Sequence, residues 1–105
     1  MNILSSEILK KTFKSYKESS LFGKWITLDN IEKLFDKHQD KFIISQLGFS
    51  EQKRPIYSLK IGTGKKRIFL WSQMHGNEST GTKALFDLFN CFSNSHNKDL
   101  KIILE

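Results

Sequence analysis

Residues 68–81 read Ile-Phe-Leu-Trp-Ser-Gln-Met-His-Gly-Asn-Glu-Ser-Thr-Gly, and this stretch decides the fold class. Its apolar start, 68–71, is typical of a strand that is covered on both faces. A polar loop with His75 and Glu78 follows directly, and the apolar spacing after residue 79 predicts a helix. The order strand, loop, helix is typical of an α/β domain, whose ligands bind at the carboxyl ends of its strands.

The polar loop brings two metal-ligand side chains within three residues of each other. The imidazole of His75 and the carboxylate of Glu78 are both zinc ligands, and a catalytic zinc takes three protein ligands and keeps one position open. We expect Gly76 to allow a sharp turn and to leave room near the ion. A His-x-x-Glu pair can also be an ordinary hydrogen-bonded pair. The preceding strand and the following helix favour the zinc hypothesis.

Two helices are predicted ahead of this stretch. The first covers 6–19, and the second begins near Asp29, where Asp29 and Glu32 form a plausible capping pair. His38 extends the apolar stripe of the second helix and is expected to be half-exposed at its end, with no catalytic role.

From residue 41 onward the spacing of the apolar residues changes from the helical type to the strand type, which indicates strands. The helix after the polar loop has so broad an apolar face that we expect it to be buried between layers. The remaining expected elements are strands over 42–48, 55–61 and 67–72, a helix over 79–92, a loop over 94–98 and a short helix over 99–104.

Length and composition limit the remaining possibilities. A chain of 105 residues allows one small domain. The net charge of +6 suggests nucleic acid, but only Arg54 and Arg67 are arginine and the lysines are scattered, so nucleic acid is not the expected partner. Cys91 stands alone and is expected to be buried and inert. No signal peptide or membrane span is visible, so a cytoplasmic protein without a membrane partner is expected.

A family resemblance rests on three segments of the chain. Residues 54–62 (Arg-Pro-Ile-Tyr-Ser-Leu-Lys-Ile-Gly), the apolar run 68–71 and 75–81 (His-Gly-Asn-Glu-Ser-Thr-Gly) resemble the N-terminal part of zinc carboxypeptidases, the carboxypeptidase A-like metallopeptidases. The resemblance covers roughly residues 40–105. It implies one Zn²⁺ ion, with His75 and Glu78 as ligands.

The fold that this resemblance implies is a mixed-sheet α/β/α domain of the phosphorylase/hydrolase-like type. The chain is expected to form its N-terminal part, with two leading helices, three strands and a helix. Residues 1–105 would then be a single incomplete domain, with a helical lead-in over 1–40 and the start of the catalytic domain over 41–105.

The activity that the resemblance implies is hydrolysis of a peptide bond near a free C-terminus. The family's third ligand (a histidine), its carboxylate-binding arginines, its tyrosine and its glutamate base are expected beyond residue 105. No catalytic residue is expected within the chain, so the chain alone is expected to be inactive. His96 lies in the wrong loop to be the third zinc ligand. The expected partner is a peptide or small amide substrate.

Three alternatives to the peptidase remain open. His-Gly-Asn-Glu with a following Thr-Gly is also similar to zinc-dependent deacylases of the aspartoacylase and succinylglutamate desuccinylase type, and Asn77 stands where the pancreatic-type peptidases commonly have arginine. Residues 54–62 favour the peptidase over the deacylase. The other two alternatives are a small basic nucleic-acid-binding or interaction module and a relative that has lost its chemistry.

Overall fold

The computed structural model describes residues 5–94, 96 and 98–105 as four helices and two strands. The prediction of a mixed α/β domain is confirmed at this level. The elements are α1 (Ser6–Tyr16), α2 (Leu28–Glu32), β1 (Ile43–Phe49), β2 (Pro55–Lys60), α3 (Thr80–Asn94) and α4 (Lys98–Leu104).

Helix α1 is confirmed, but it ends three residues before the predicted end at 19. Ser5 caps its start, because the backbone N–H of Ile8 donates to the Ser5 hydroxyl at 3.2 Å. At the other end the backbone N–H of Glu18 donates to Oδ1 of Asp87 at 2.6 Å. The residues after α1 therefore turn away from the helix axis and contact α3.

Helix α2 is capped by different residues from those predicted. Both the backbone N–H and the hydroxyl of Thr27 donate to Oδ1 of Asn30, at 2.8 and 2.9 Å. Asn30 thus takes the place of the acidic residue in a capping box. The predicted pair of Asp29 and Glu32 was wrong, since Glu32 instead accepts a hydrogen bond from the hydroxyl of Tyr57 at 2.9 Å.

Strands β1 and β2 confirm the strands expected over 42–48 and 55–61, and they pair as an antiparallel hairpin. Their register pairs Ile43 with Lys60 and Phe49 with Pro55, with an irregularity between Gln46 and Gly48. This two-stranded sheet is the whole sheet structure of the described residues.

The predicted third strand over 67–72 was wrong. This segment has no regular secondary structure, and Ile68 and Phe69 are 81% and 83% exposed. A strand buried on both faces needs paired neighbours and covering layers. Strands β1 and β2 pair with each other, and no described segment pairs with 67–72.

The core lies between α3, the turns after α1 and the segment around α2. Leu21, Ile26, Leu34 and Phe86 form its buried cluster. Helix α3 was expected to be buried between layers, but only one face is buried: Ala84 is exposed, whereas Phe86 is buried.

Cys91 is buried as expected, and burial raises the pKa of its thiol.

His38 is completely buried beside this core, so the expectation of a half-exposed residue was wrong. Its ring lies among Phe42, Phe86 and Phe89, with ring centroids 5.5 to 6.1 Å away. Its Nδ1 lies 3.0 Å from the hydroxyl of Ser93. Burial in this aromatic cluster lowers the pKa of His38, which favours the neutral ring.

Helix α4 confirms the helix predicted over 99–104, and its end is held by the turn at 62–64. The carbonyl of Leu104 accepts from the backbone N–H groups of Thr63 and Gly64, at 2.7 and 3.2 Å. Gly62 has φ of 84°, and a Cβ there would lie 2.6 Å from that carbonyl oxygen, so the contact requires glycine. Residues 95 and 97 of the predicted loop 94–98 lie outside the described residues.

None of the helices in the described part of the chain is long and apolar enough to cross a membrane.

Candidate metal centre

The loop between the exposed apolar segment and α3 brings His75 and Glu78 together. Nδ1 of His75 lies 3.2 Å from Oε2 of Glu78, and the backbone N–H of Glu78 donates to the carbonyl of His75 at 3.0 Å. Their side chains are 68% and 69% exposed. The two ligand groups therefore converge on a tight turn that an ion can reach from solvent.

The unusual backbone conformation of this loop lies at Gln73 and not at Gly76. Gln73 has φ of 53°, in the left-handed region that few residues other than glycine adopt, whereas Gly76 has no positive φ. A Cβ at Gly76 would meet nothing within 4 Å. Gly76 thus leaves open space beside the pair, as expected, but the turn does not depend on its conformational freedom.

Side chains of the loop and of α3 fasten the site to the segment 23–26, next to the core. Each of three side chains donates to a backbone carbonyl of that segment. The bonds run from Lys83 Nζ to Gly23 at 2.8 Å, from Ser79 Oγ to Lys24 at 2.6 Å, and from Gln73 Nε2 to Ile26 at 2.7 Å.

An open cleft of about 630 Å³ lies against Glu78, between residues 23–24 and the start of α3. Asn77 lines it beside Glu78, and Lys24 and Lys83 line its other parts. Two lysines and the carboxylate of Glu78 line this cleft, so its formal charge is +1, which favours an anionic group of a small ligand. A substrate can therefore lie next to one of the two ligand groups.

The donor set fits part of a zinc site. Imidazole nitrogen and carboxylate oxygen are both zinc ligands, and a catalytic site needs a third. Within residues 5–94, 96 and 98–105 no group of three or more His, Cys, Asp or Glu side chains could hold an ion. His38 is excluded by its complete burial. The structure brings together the two predicted ligands and adds none.

Prediction from the sequence missed the residues that hold the loop. Ser79 directly precedes α3, where serine commonly accepts a capping bond, but here its hydroxyl donates to the carbonyl of Lys24, 55 residues away along the chain. Nothing in the sequence pattern marks Gln73 or Lys83, because their partners at Ile26 and Gly23 are 47 and 60 residues away along the chain.

Comparison with protein families gives one result that spans the site. The family model described as zinc carboxypeptidase matches residues 27–104, about three quarters of the chain. The chain belongs to the zinc carboxypeptidase family. By family it is related to hydrolases of the metallopeptidase class, and the matched region contains both His75 and Glu78. Searches of curated proteins and of solved structures find no match.

Proposed function

We propose that His75 and Glu78 are two zinc ligands of a metallocarboxypeptidase that hydrolyses peptide bonds near a free C-terminus. The observation that supports this best is the convergence of Nδ1 and Oε2 to 3.2 Å on an exposed loop. That loop lies inside the region that matches the zinc carboxypeptidase family.

The chain's own residues would bind the ion and admit the substrate. A bound zinc polarises a carbonyl and lowers the pKa of a bound water. His75 and Glu78 would hold it, with the bond from the Glu78 N–H to the His75 carbonyl keeping the two residues in one turn. Lys24 and Lys83 in the adjacent cleft would attract the negatively charged end of a peptide.

The proposal assigns the third ligand and the general base to residues other than those described. No third candidate ligand lies near His75 and Glu78 in the described part of the chain. A zinc site with two protein ligands and no base lacks the means to move the proton during hydrolysis. We therefore expect the 105-residue protein to bind zinc without turning over a peptide, and robust zinc-dependent turnover by the purified protein would contradict this.

Zinc calorimetry tests the metal proposal. We expect the wild-type protein to bind one Zn²⁺, and His75→Ala and Glu78→Gln each to weaken binding, because each removes one of the two ligands. His96→Ala is the matched control, because His96 is exposed and lies outside the loop. Equal zinc uptake by the wild-type and His75→Ala proteins would refute the proposal.

A zinc-dependent deacylase is the second candidate, and Asn77 is the residue that favours it. Asn77 lines the cleft beside Glu78, where the pancreatic-type peptidases commonly have arginine. With zinc present, a peptide with a free C-terminus and an N-acyl amino acid can be compared by the NMR shift that each produces at Asn77 and Lys83. A larger shift with the acyl amino acid at equal concentration would favour the deacylase.

A further inference from the structure

We propose that Gln73 is the positioning residue of the metal centre, acting through a clamp that holds the His75–Glu78 loop against the core. This inference rests on the proposed function for its metal arm. We define the Gln73 clamp as the Gln73 side chain with its three partners. These are the carbonyl of Ile26, the carbonyl of Gly76 and the hydroxyl of Thr82.

The clamp joins three separate parts of the molecule with one amide. Nε2 of Gln73 donates to the carbonyl of Ile26 at 2.7 Å and to that of Gly76 at 2.9 Å. Its Oε1 accepts from the hydroxyl of Thr82 at 2.7 Å. Ile26 is a buried core residue, Gly76 lies between the two ligands and Thr82 lies in the first turn of α3. The amide therefore connects the core, the metal loop and the helix behind it.

The partners fix the orientation of this amide. Two carbonyl oxygens can only accept, so the NH₂ group must face them and the oxygen must face Thr82. Thr82 then receives a hydrogen bond from Ser72, whose hydroxyl lies 2.9 Å away. The result is a continuous chain from Ser72 through Thr82 to Gln73, in which each bond polarises the next.

The backbone of Gln73 gives an independent sign of the same role. Its φ of 53° is uncommon for a residue with a side chain. Such a conformation persists only where the surrounding structure holds it, and it occurs preferentially at functional sites. Here the three side-chain bonds hold it, and the turn directs the chain into His75 two residues later.

The expected consequence is that the clamp orders the ligands before the metal arrives. Glutamine reaches all three partners, whereas methionine has a similar length and makes none of these bonds. Without the clamp, zinc binding would first have to order the loop. Partners that orient metal ligands from outside the coordination shell typically contribute about 10- to 100-fold to metal affinity.

The test compares Gln73→Met with Gln52→Met, the same change at an exposed glutamine in the hairpin connection. Two readouts are used: Zn²⁺ affinity by calorimetry and hydrogen exchange of the Glu78 N–H in the metal-free protein. We expect Gln73→Met to weaken zinc binding about tenfold and to speed exchange at Glu78, while the amide of Phe86 in the core keeps its wild-type rate. Gln52→Met should change neither.

Two outcomes would contradict the clamp. Wild-type zinc affinity and wild-type Glu78 exchange in Gln73→Met would overturn it, as would equal acceleration at Glu78 and Phe86, which would show a purely structural role. If Gln73→Met does not fold, Thr82→Val removes one bond of the clamp and should speed Glu78 exchange in the same direction. If the wild-type protein takes up no zinc, the proposed function fails, and Glu78 exchange still decides the clamp.

Discussion

Replacing Glu18 with glutamine removes a buried carboxylate from a network that joins three parts of the core. Glu18 forms an ion pair with Lys37 and accepts from Ser20 at 2.7 Å and from Asn90 at 3.1 Å. Burial alone raises the pKa of Glu18, but the hydrogen bonds from Lys37, Ser20 and Asn90 outweigh it and lower the pKa from 4.5 to about 2. One pKa unit corresponds to about 1.4 kcal/mol, so this network stabilises the folded protein at neutral pH by about 3 kcal/mol.

The sign of the pH dependence follows from the lowered pKa. The unfolded chain binds a proton to Glu18 near pH 4.5, whereas the folded protein does so only near pH 2. The stabilisation is therefore complete above about pH 5 and is lost as the pH falls toward 2. The same two pKa values leave less than half of it at pH 3.

Urea unfolding of the wild-type and Glu18→Gln proteins, followed by circular dichroism from pH 7 to pH 3, measures this difference. We expect Glu18→Gln to lower the free energy of unfolding by about 3 kcal/mol at pH 7 and by less than half of that at pH 3. Glu51→Gln is the matched control, because Glu51 is exposed and bonds no described side chain. A difference that stays constant over this pH range, or that equals the effect of Glu51→Gln, would refute the reasoning.

Three further predictions concern other parts of the molecule. Burial lowers the pKa of His38, so the neutral ring stabilises the folded protein fully above pH 6.5 and this stabilisation is lost as the pH falls below 6.5. His38→Phe should therefore remove this pH dependence of the unfolding free energy between pH 6.5 and 5. Gly62 has a positive φ, and Gly62→Ala places a Cβ against the carbonyl of Leu104, so it should lower the free energy of unfolding by about 2 kcal/mol, measured by thermal unfolding. Gly48→Ala, whose Cβ would lie in open space, should leave the free energy of unfolding unchanged. Phe69→Lys breaks the exposed apolar run and should reduce binding of a hydrophobic dye without a loss of stability, and unchanged dye binding would contradict this.

Local patterns predicted those parts of the fold whose partners are close along the chain. The change of apolar spacing at residue 41 predicted a strand over 55–61, and the structure pairs this strand, β2, with β1 only a few residues upstream. The apolar spacing over residues 6–19 predicted α1 in the same way. Neighbouring residues also supply His75 and Glu78, which is why their convergence could be expected from the loop alone.

Features that depend on distant partners could not be predicted from the sequence. The apolar run 67–72 has the composition of a buried strand, but a strand forms only where another strand pairs with it, and composition does not reveal that partner. The burial of His38 depends on Phe86 and Phe89 in α3, about 50 residues later. The clamp at Gln73 depends on the carbonyl of Ile26, 47 residues earlier.

The central claim is that zinc binds at His75 with the help of Glu78, and ¹⁵N NMR of the imidazole nitrogens tests it most directly. The protein has three histidines, and His38, buried, and His96, exposed, serve as internal references. We predict that added Zn²⁺ changes the ¹⁵N chemical shift of a ring nitrogen of His75 and of neither reference histidine. In Glu78→Gln, the same change should require a much higher zinc concentration. An equal shift at His96, or a His75 response unchanged by Glu78→Gln, would contradict the claim.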